Sequence, residues 1–202
     1  ATTATPGGMA NVENLNTTFT GAVTLNATNM TGMTSISNIG STALGTLSNL
    51  EGTAATVTVA DNAVGATFAY KAAALTGTAD SLAVTFSNVT AGTTTITGAI
   101  ETLNITSSGS ANTVALVASA TTLNVSGDQN ITLSGTGTTG AATINAASAT
   151  GDVGMTSDAA ASTAVTLTGG TGDDSITLTG TNTATDTVSG GAGDDTITFT
   201  AD

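Results

Sequence analysis

The sequence predicts an all-β fold, a parallel β-solenoid in which short strands stack coil upon coil. Apolar residues alternate with polar ones in short bursts, threonine accounts for 49 of the 202 residues, and a short phrase recurs about every twenty residues. Threonine is β-branched and favours a pleated surface. Helix signals are confined to two Ala-rich pieces, 70–75 and 142–149.

Nine bursts of alternating apolar residues predict individual strands, because a period of two residues places one face of a strand in the core. Gly, Asn, Ser and Asp punctuate the bursts, and these residues favour turns. The bursts cover residues 23–25, 57–59, 68–70, 84–86, 103–105, 123–125, 131–133, 165–167 and 176–178.

A recurring phrase predicts the stacking of these strands. It reads VENLN (12–16), AVTLN (22–26), IETLN (100–104), ATTLN (120–124), AATIN (141–145) and AVTLT (164–168). Its apolar centre falls in turn at Leu103, Leu123, Ile144 and Leu167, a nearly constant step. This step is typical of one coil of a parallel β-helix, in which Asn and Thr of successive coils would form hydrogen-bonded ladders.

Two features leave the architecture open. Between residues 32 and 99 the rhythm weakens, which indicates an insertion, an irregular coil or a sandwich-like piece. The alternative to a solenoid is a β-sandwich, but four Phe, one Tyr and no Trp make a thick two-sheet core hard to fill.

The composition excludes several functions. The chain has no Cys and no His, so disulfides, zinc fingers and His-dependent catalysis are excluded. A net charge of −13, with Lys71 as the sole Lys or Arg, disfavours nucleic-acid binding, and no apolar run approaches the 18 or so residues of a membrane helix. The carboxylates that precede position 169, Asp152 among them, are scattered without the spacing of a glycosidase pair, so we expect no enzyme.

The most informative stretch is 169–198. The segments GGTGDDSIT (169–177) and GGAGDDTIT (190–198) both match the nonapeptide G-G-x-G-x-D-x-U-x, where U is a large apolar residue. Between them, TNTATDTVS (181–189) lacks the glycines but keeps Asp186 and Val188. We therefore expect three half-coils, the outer two on one edge, with residues 178–180 as a bulge or loop. The predicted domains are a β-solenoid body, 1–168, and a calcium-binding β-roll, 169–202.

Calcium takes six to eight oxygen ligands, and glycine lets a turn aim its carbonyl oxygens inward. We expect one ion between the turns, with Asp174 and Asp195 on either side and carbonyls of Gly170, Gly172, Gly191 and Gly193 completing the shell. Asp173 and Asp194 are expected to face solvent or assist neighbouring sites, and Asp186 to contribute to a second site on the opposite edge. Six carboxylates without a local cation support this prediction: Asp173, Asp174, Asp186, Asp194, Asp195 and Asp202.

Residues 169–198 resemble the RTX repeats of secreted bacterial proteins, which form a calcium-bound parallel β-roll. The remaining Thr/Ala/Gly-rich chain resembles the body of RTX-containing surface-layer proteins of Gram-negative bacteria, such as those of Caulobacter and Campylobacter. The resemblance implies secretion, calcium-dependent folding outside the cell and self-assembly into a two-dimensional lattice on the cell surface. It also implies contact with outer-membrane lipopolysaccharide through another domain.

The chain departs from the family pattern at 181–184, where the glycines are missing, and it shows no secretion signal. It opens without Met, and we interpret it as an excerpt of a longer polypeptide. Two alternatives remain open: the stalk of a secreted RTX adhesin, and the noncatalytic β-roll of a secreted hydrolase.

Overall fold

A computed structural model describes residues 2–7, 9–159, 164–180 and 183–200. Within these ranges the chain forms short strands joined by turns, with a 3-10 helix at Ala72–Ala74 and one α-helical turn, α1, at Thr136–Thr139. The strands in chain order are β1 (Thr2–Ala4), β2 (Met9–Ala10), β3 (Asn14–Thr17), β4 (Val23–Asn26), β5 (Met30–Thr31), β6 (Ser35–Ile39), β7 (Gly45–Leu50), β8 (Thr56–Asn62), β9 (Gly65–Tyr70), β10 (Ser81–Val89), β11 (Thr93–Thr97), β12 (Thr102–Ser108), β13 (Asn112–Val117), β14 (Thr122–Gly127), β15 (Ile131–Ser134), β16 (Thr143–Ala149), β17 (Val153–Ala159), β18 (Thr166–Thr168), β19 (Ser175–Gly180), β20 (Thr187–Ser189) and β21 (Thr196–Thr200).

The strands alternate between two long sheets. Sheet I has the order β1-β4-β7-β9-β11-β13-β15-β17-β19-β21, and sheet II has the order β3-β6-β8-β10-β12-β14-β16-β18-β20. A short pair, β2 with β5, lies beside them. Every strand pairing between described residues is parallel, and most strands pair with the equivalent strand one coil further along the chain. The chain is therefore a parallel β-solenoid of about nine turns, as the sequence predicts, and not a β-sandwich.

The weak rhythm in the middle of the chain comes from one long coil. Val57 pairs with Val84 and Thr67 pairs with Thr95, so the partners in this coil lie further apart along the chain than those in the coils that follow. The additional residues form the connection between β9 and β10, which contains the 3-10 helix. The strands on either side of this insertion remain paired, so both sheets continue through it.

The core consists of apolar columns that run along the solenoid. Register aligns Leu103 with Leu123, Leu123 with Ile144, and Ile144 with Leu167, which confirms the repeat read from the sequence. All four side chains are fully buried. A polar ladder accompanies them on the outer face of sheet II, where Nδ2 of Asn124 donates to Oδ1 of Asn104 at 2.8 Å.

Of the two Ala-rich helix candidates, 142–149 lies almost entirely in strand β16 (Thr143–Ala149), because Ile144 and Ala146 are buried in the core and the strand pairs with β14. One local prediction is wrong. Residues 178–180 continue strand β19 instead of bulging. They belong to a coil of ordinary length, and Leu178 is buried between Ser157 and Phe199 of the neighbouring strands.

We predict that Leu123→Ala lowers the free energy of unfolding by about 2–5 kcal/mol, because it opens a cavity within a continuous core column. The adjacent Thr122→Ala, which alters an outward-facing side chain, should cost only about 0.5–1 kcal/mol. Urea unfolding of both variants measures the difference. Equal losses would contradict the assignment of inward and outward faces.

Candidate metal centre

The two glycine-aspartate turns stack directly on one another. The first, 169–174, connects β18 in sheet II to β19 in sheet I, and the second, 190–195, connects β20 to β21. Register pairs Ser175 with Thr196 and Ile176 with Ile197, so the turns occupy the same position in consecutive coils. We call the residues Asp152, Asp173, Asp174, Asp194 and Asp195 the acidic edge, because they lie in successive turns on this side of the solenoid.

Glycine is required in these turns mainly because adjacent coils approach closely. A Cβ atom on Gly170 would lie 2.3 Å from the carbonyl oxygen of Ala149, and one on Gly191 would lie 2.1 Å from that of Gly170. Positive φ angles occur only in the second turn, at Gly191 (+109°) and Gly193 (+125°). In the first turn, the close approach of the neighbouring coils and not a positive φ selects glycine.

Asp174 links three consecutive coils. Its side chain is 1% exposed, with Oδ1 accepting a hydrogen bond from the Val153 amide at 2.7 Å and Oδ2 accepting one from the Gly170 amide at 2.6 Å. Its own amide donates to Oδ1 of Asp195 at 3.0 Å. The two motif aspartates, Asp174 and Asp195, are thus hydrogen-bonded across adjacent coils through the Asp174 amide.

A second column of carboxylates lies beside this one and includes a residue that sequence reasoning missed. Oδ1 of Asp152 accepts from the Asp173 amide at 2.9 Å, and Oδ1 of Asp173 accepts from the Asp194 amide at 2.8 Å. Asp173 and Asp194 are exposed, as expected. The missed signal was the Gly151-Asp152 pair, which precedes Gly172-Asp173 by one coil.

Burial raises the pKa of Asp174, and the negative charges of Asp195 and Asp152 raise it further, whereas the hydrogen bonds from the Val153 and Gly170 amides act in the opposite direction. The net shift is upward, so the folded state holds the proton of Asp174 more tightly than the unfolded chain does. Ionisation of Asp174 therefore costs stability as the pH rises through the folded pKa. A nearby cation would reduce this cost.

Asp186 lies apart from the acidic edge, in the turn before β20 on the opposite side of the solenoid. Its Oδ2 accepts from the Thr183 amide at 2.6 Å and its Oδ1 from the Val165 amide at 2.9 Å. These bonds lower the pKa of Asp186. The predicted opposite-edge position is observed, although residues 181–182 of this turn lie outside the described part of the chain, as does Asp202.

The donor set of the acidic edge agrees with calcium by type. Carboxylate and carbonyl oxygens are the ligands that calcium takes, and each carboxylate oxygen that accepts one amide retains a further lone pair. Over residues 2–7, 9–159, 164–180 and 183–200, however, no three acidic side chains form a group close enough to hold a metal ion. An ion here would depend on backbone carbonyls as much as on carboxylates.

Comparison of the chain with protein-family models, curated proteins and solved structures gave no match in any of the three. In the part of the chain that the structure describes, no helix is both long and apolar enough to cross a membrane.

We predict that Gly191→Ala destabilises the last coil more than either of two control substitutions. Alanine at 191 would combine a strained φ of +109° with a clash against Gly170, whereas Gly52→Ala imposes a positive φ alone, in open space. Gly21→Ala introduces neither. Amide hydrogen exchange in β21 and urea unfolding measure the ranking. A Gly191→Ala variant no less stable than Gly52→Ala would contradict the close approach of the two turns.

We also predict that Asp186→Asn flattens the acid side of the stability–pH curve. Because the folded pKa of Asp186 is lowered, its carboxylate contributes stability that is present above its ordinary pKa of about 3.9 and is lost as the pH falls through the lower folded value. Urea unfolding between about pH 2 and pH 6 measures the slope, with the exposed Asp128→Asn as a charge-matched control. Parallel curves for wild type and Asp186→Asn would show that the carboxylate makes no such contribution.

Proposed function

We propose that the chain is a noncatalytic, calcium-binding structural segment of a bacterial surface layer, secreted to the cell exterior, where it self-assembles with further copies. The observation that carries this proposal is the stacking of two glycine-aspartate motifs, whose aspartates Asp174 and Asp195 are hydrogen-bonded across adjacent coils on one edge of a solenoid. Attachment to outer-membrane lipopolysaccharide would be made by another domain.

The charge distribution supports a role for a divalent cation. The chain carries a formal charge of −13, and its one basic side chain, Lys71, forms an ion pair with Glu51. Neither residue belongs to the acidic edge. The five carboxylates of the acidic edge therefore have no lysine or arginine with which to pair, and ions from solution are the available counter-charges.

In the proposed site, calcium is held by the carboxylates of Asp174 and Asp195 and by carbonyls of Gly170, Gly172, Gly191 and Gly193, while Asp173 and Asp194 face solvent or assist neighbouring sites. When bound, the ion supplies positive charge to a buried carboxylate and joins two coils. Because the complete ligand set exists only when those coils are stacked, binding would stabilise the folded state.

The solenoid body supports a structural role. A stack of parallel coils is long and narrow, its interior is filled by apolar columns, and its exposed faces consist largely of Thr, Ser and Asn. Such a rod can present repeated contacts to neighbouring copies along its length. The same shape is compatible with the stalk of a secreted adhesin, and the organisation of assembled copies separates the two functions.

We predict that calcium raises the free energy of unfolding by about 1.4 kcal/mol at ten times its dissociation constant. The double variant Asp174→Asn/Asp195→Asn should lose this gain, whereas Asp128→Asn should retain it. Calorimetric unfolding in calcium, in magnesium and in chelator measures the effect. The absence of any calcium-dependent gain in the wild type would refute the proposed site.

Electron microscopy of the purified protein tests assembly separately. Ordered sheets in calcium that disperse in chelator are the expected result. Sheets that persist unchanged in excess chelator would refute calcium-dependent assembly, and isolated rods without sheets would favour the stalk.

A further inference from the structure

We call Asp152, Asp173 and Asp194 the outer column, and Asp174 and Asp195 the inner column. The hydrogen bonds of the outer column begin at Asn130, two coils before the first complete motif. Asn130 and Asp152 exchange two hydrogen bonds: the Asp152 amide donates to Oδ1 of Asn130 at 3.0 Å, and Nδ2 of Asn130 donates to Oδ2 of Asp152 at 2.7 Å. The other oxygen of Asp152 accepts the Asp173 amide, and Asp173 in turn accepts the Asp194 amide. Four coils, those of β15, β17, β19 and β21, are joined in this way.

The hydrogen bonds of this column share one direction. In each step the side chain of one coil accepts the amide of the equivalent residue in the next coil, so Asn130 fixes Asp152, Asp152 fixes Asp173, and Asp173 fixes Asp194. The inner column has the opposite direction, because Asp174 accepts the Val153 amide and Asp195 accepts the Asp174 amide of the coil before. The first glycine-aspartate turn is therefore held from both sides, by Asp152 of the coil before and by Asp195 of the coil after, and the second turn is held by two bonds to the coil before it.

Asp152 lies in close contact with the first motif turn. A Cβ atom on Gly172 would lie 2.7 Å from both the amide nitrogen and Oδ1 of Asp152, so the first motif turn rests directly against this residue. Gln129 and Gly151 show the same crowding one coil earlier, where a Cβ atom on Gly151 would lie 2.5 Å from the carbonyl carbon of Gln129. The coils before the motif therefore already approach one another as closely as the motif turns do.

From this geometry we infer that Asn130 and Asp152 are positioning residues for the two glycine-aspartate turns. They form the start of a side-chain template in which each coil fixes a backbone amide of the next, and the template operates without a bound ion. Asn130 can begin the column because a side-chain amide supplies the same acceptor oxygen as a carboxylate. The inference rests on the proposed function only for its effect on calcium affinity.

The test compares Asp152→Ala with Asp152→Asn and Asp128→Ala. Alanine removes the acceptor of the Asp173 amide, asparagine keeps an acceptor while removing the charge, and Asp128→Ala removes one charge from an exposed residue of the turn before β15. Amide hydrogen exchange is measured by NMR in chelator, with the Ile105 amide in β12 as an internal reference for global unfolding. We expect Asp152→Ala to accelerate exchange of the Asp173 amide about tenfold or more relative to Ile105, because the lost bond has a charged acceptor.

Asp152→Asn should restore most of this protection, and Asp128→Ala should leave it unchanged. Unaltered Asp173 exchange in Asp152→Ala would overturn the inference. So would a loss of protection in Asp152→Asn as large as that in Asp152→Ala, because charge and not the hydrogen bond would then be the cause. Should Asp152→Ala fail to fold, Asn130→Ala provides the same test at the Asp152 amide, where unchanged protection would also overturn the inference.

Calcium titration of the same variants gives a second readout. If the template pre-forms the turns, Asp152→Ala should weaken calcium binding several-fold, whereas Asp152→Asn should bind more tightly than Asp152→Ala. Wild-type protein that binds no calcium would refute the proposed function, and the exchange results would still decide whether the template exists. Equal calcium affinity in wild type and Asp152→Ala would refute the positioning role while leaving the proposed site intact.

Discussion

Parallel pairing of each coil with the coils before and after it is the constraint on which the rest of the structure depends. In this arrangement residues at the same register lie above one another, so each column must be built from side chains that tolerate close neighbours of their own kind. Leu103, Leu123 and Ile144 meet this requirement by excluding water together. Asn104 and Asn124 meet it differently, because an amide is both a donor and an acceptor.

A column of carboxylates is the hardest case, since like charges repel and a carboxylate has no proton to donate at neutral pH. The acidic edge resolves this by placing four of its five side chains, those of Asp152, Asp173, Asp174 and Asp195, against a backbone amide of an adjacent coil instead of against another carboxylate. Turns are where such amides are available, because the ladder bonds of the sheets end there. The fold therefore confines these aspartates to turns. The glycines of those turns have no Cβ, so adjacent coils can approach closely enough for the hydrogen bonds to form.

The repeat and the alternation of apolar residues were enough to predict the solenoid and nine of its strands, and the two nonapeptide motifs predicted the stacking of 169–174 on 190–195. Residues 142–149 carry a helix signal from alanine as well as part of the strand phrase AATIN, and the pairing of β16 with β14, which only the assembled sheet supplies, decides for the strand. Asp152 was missed for a related reason. Its role depends on a hydrogen bond to the next coil, and a single Gly-Asp pair lacking the other motif glycines does not reveal that bond in the sequence.

The two directions of hydrogen bonding have a consequence for any ion that binds this edge. Asp174 is already oriented by the Val153 and Gly170 amides, and Asp173 is fixed through its amide by Asp152, so the turns need little further ordering before they bind. Pre-formed sites bind more tightly because less conformational entropy is lost on association. The same amides also offset part of the repulsion among the carboxylates. A calcium ion would then strengthen an arrangement that the chain specifies on its own, and the dependence of the fold on calcium would be one of degree.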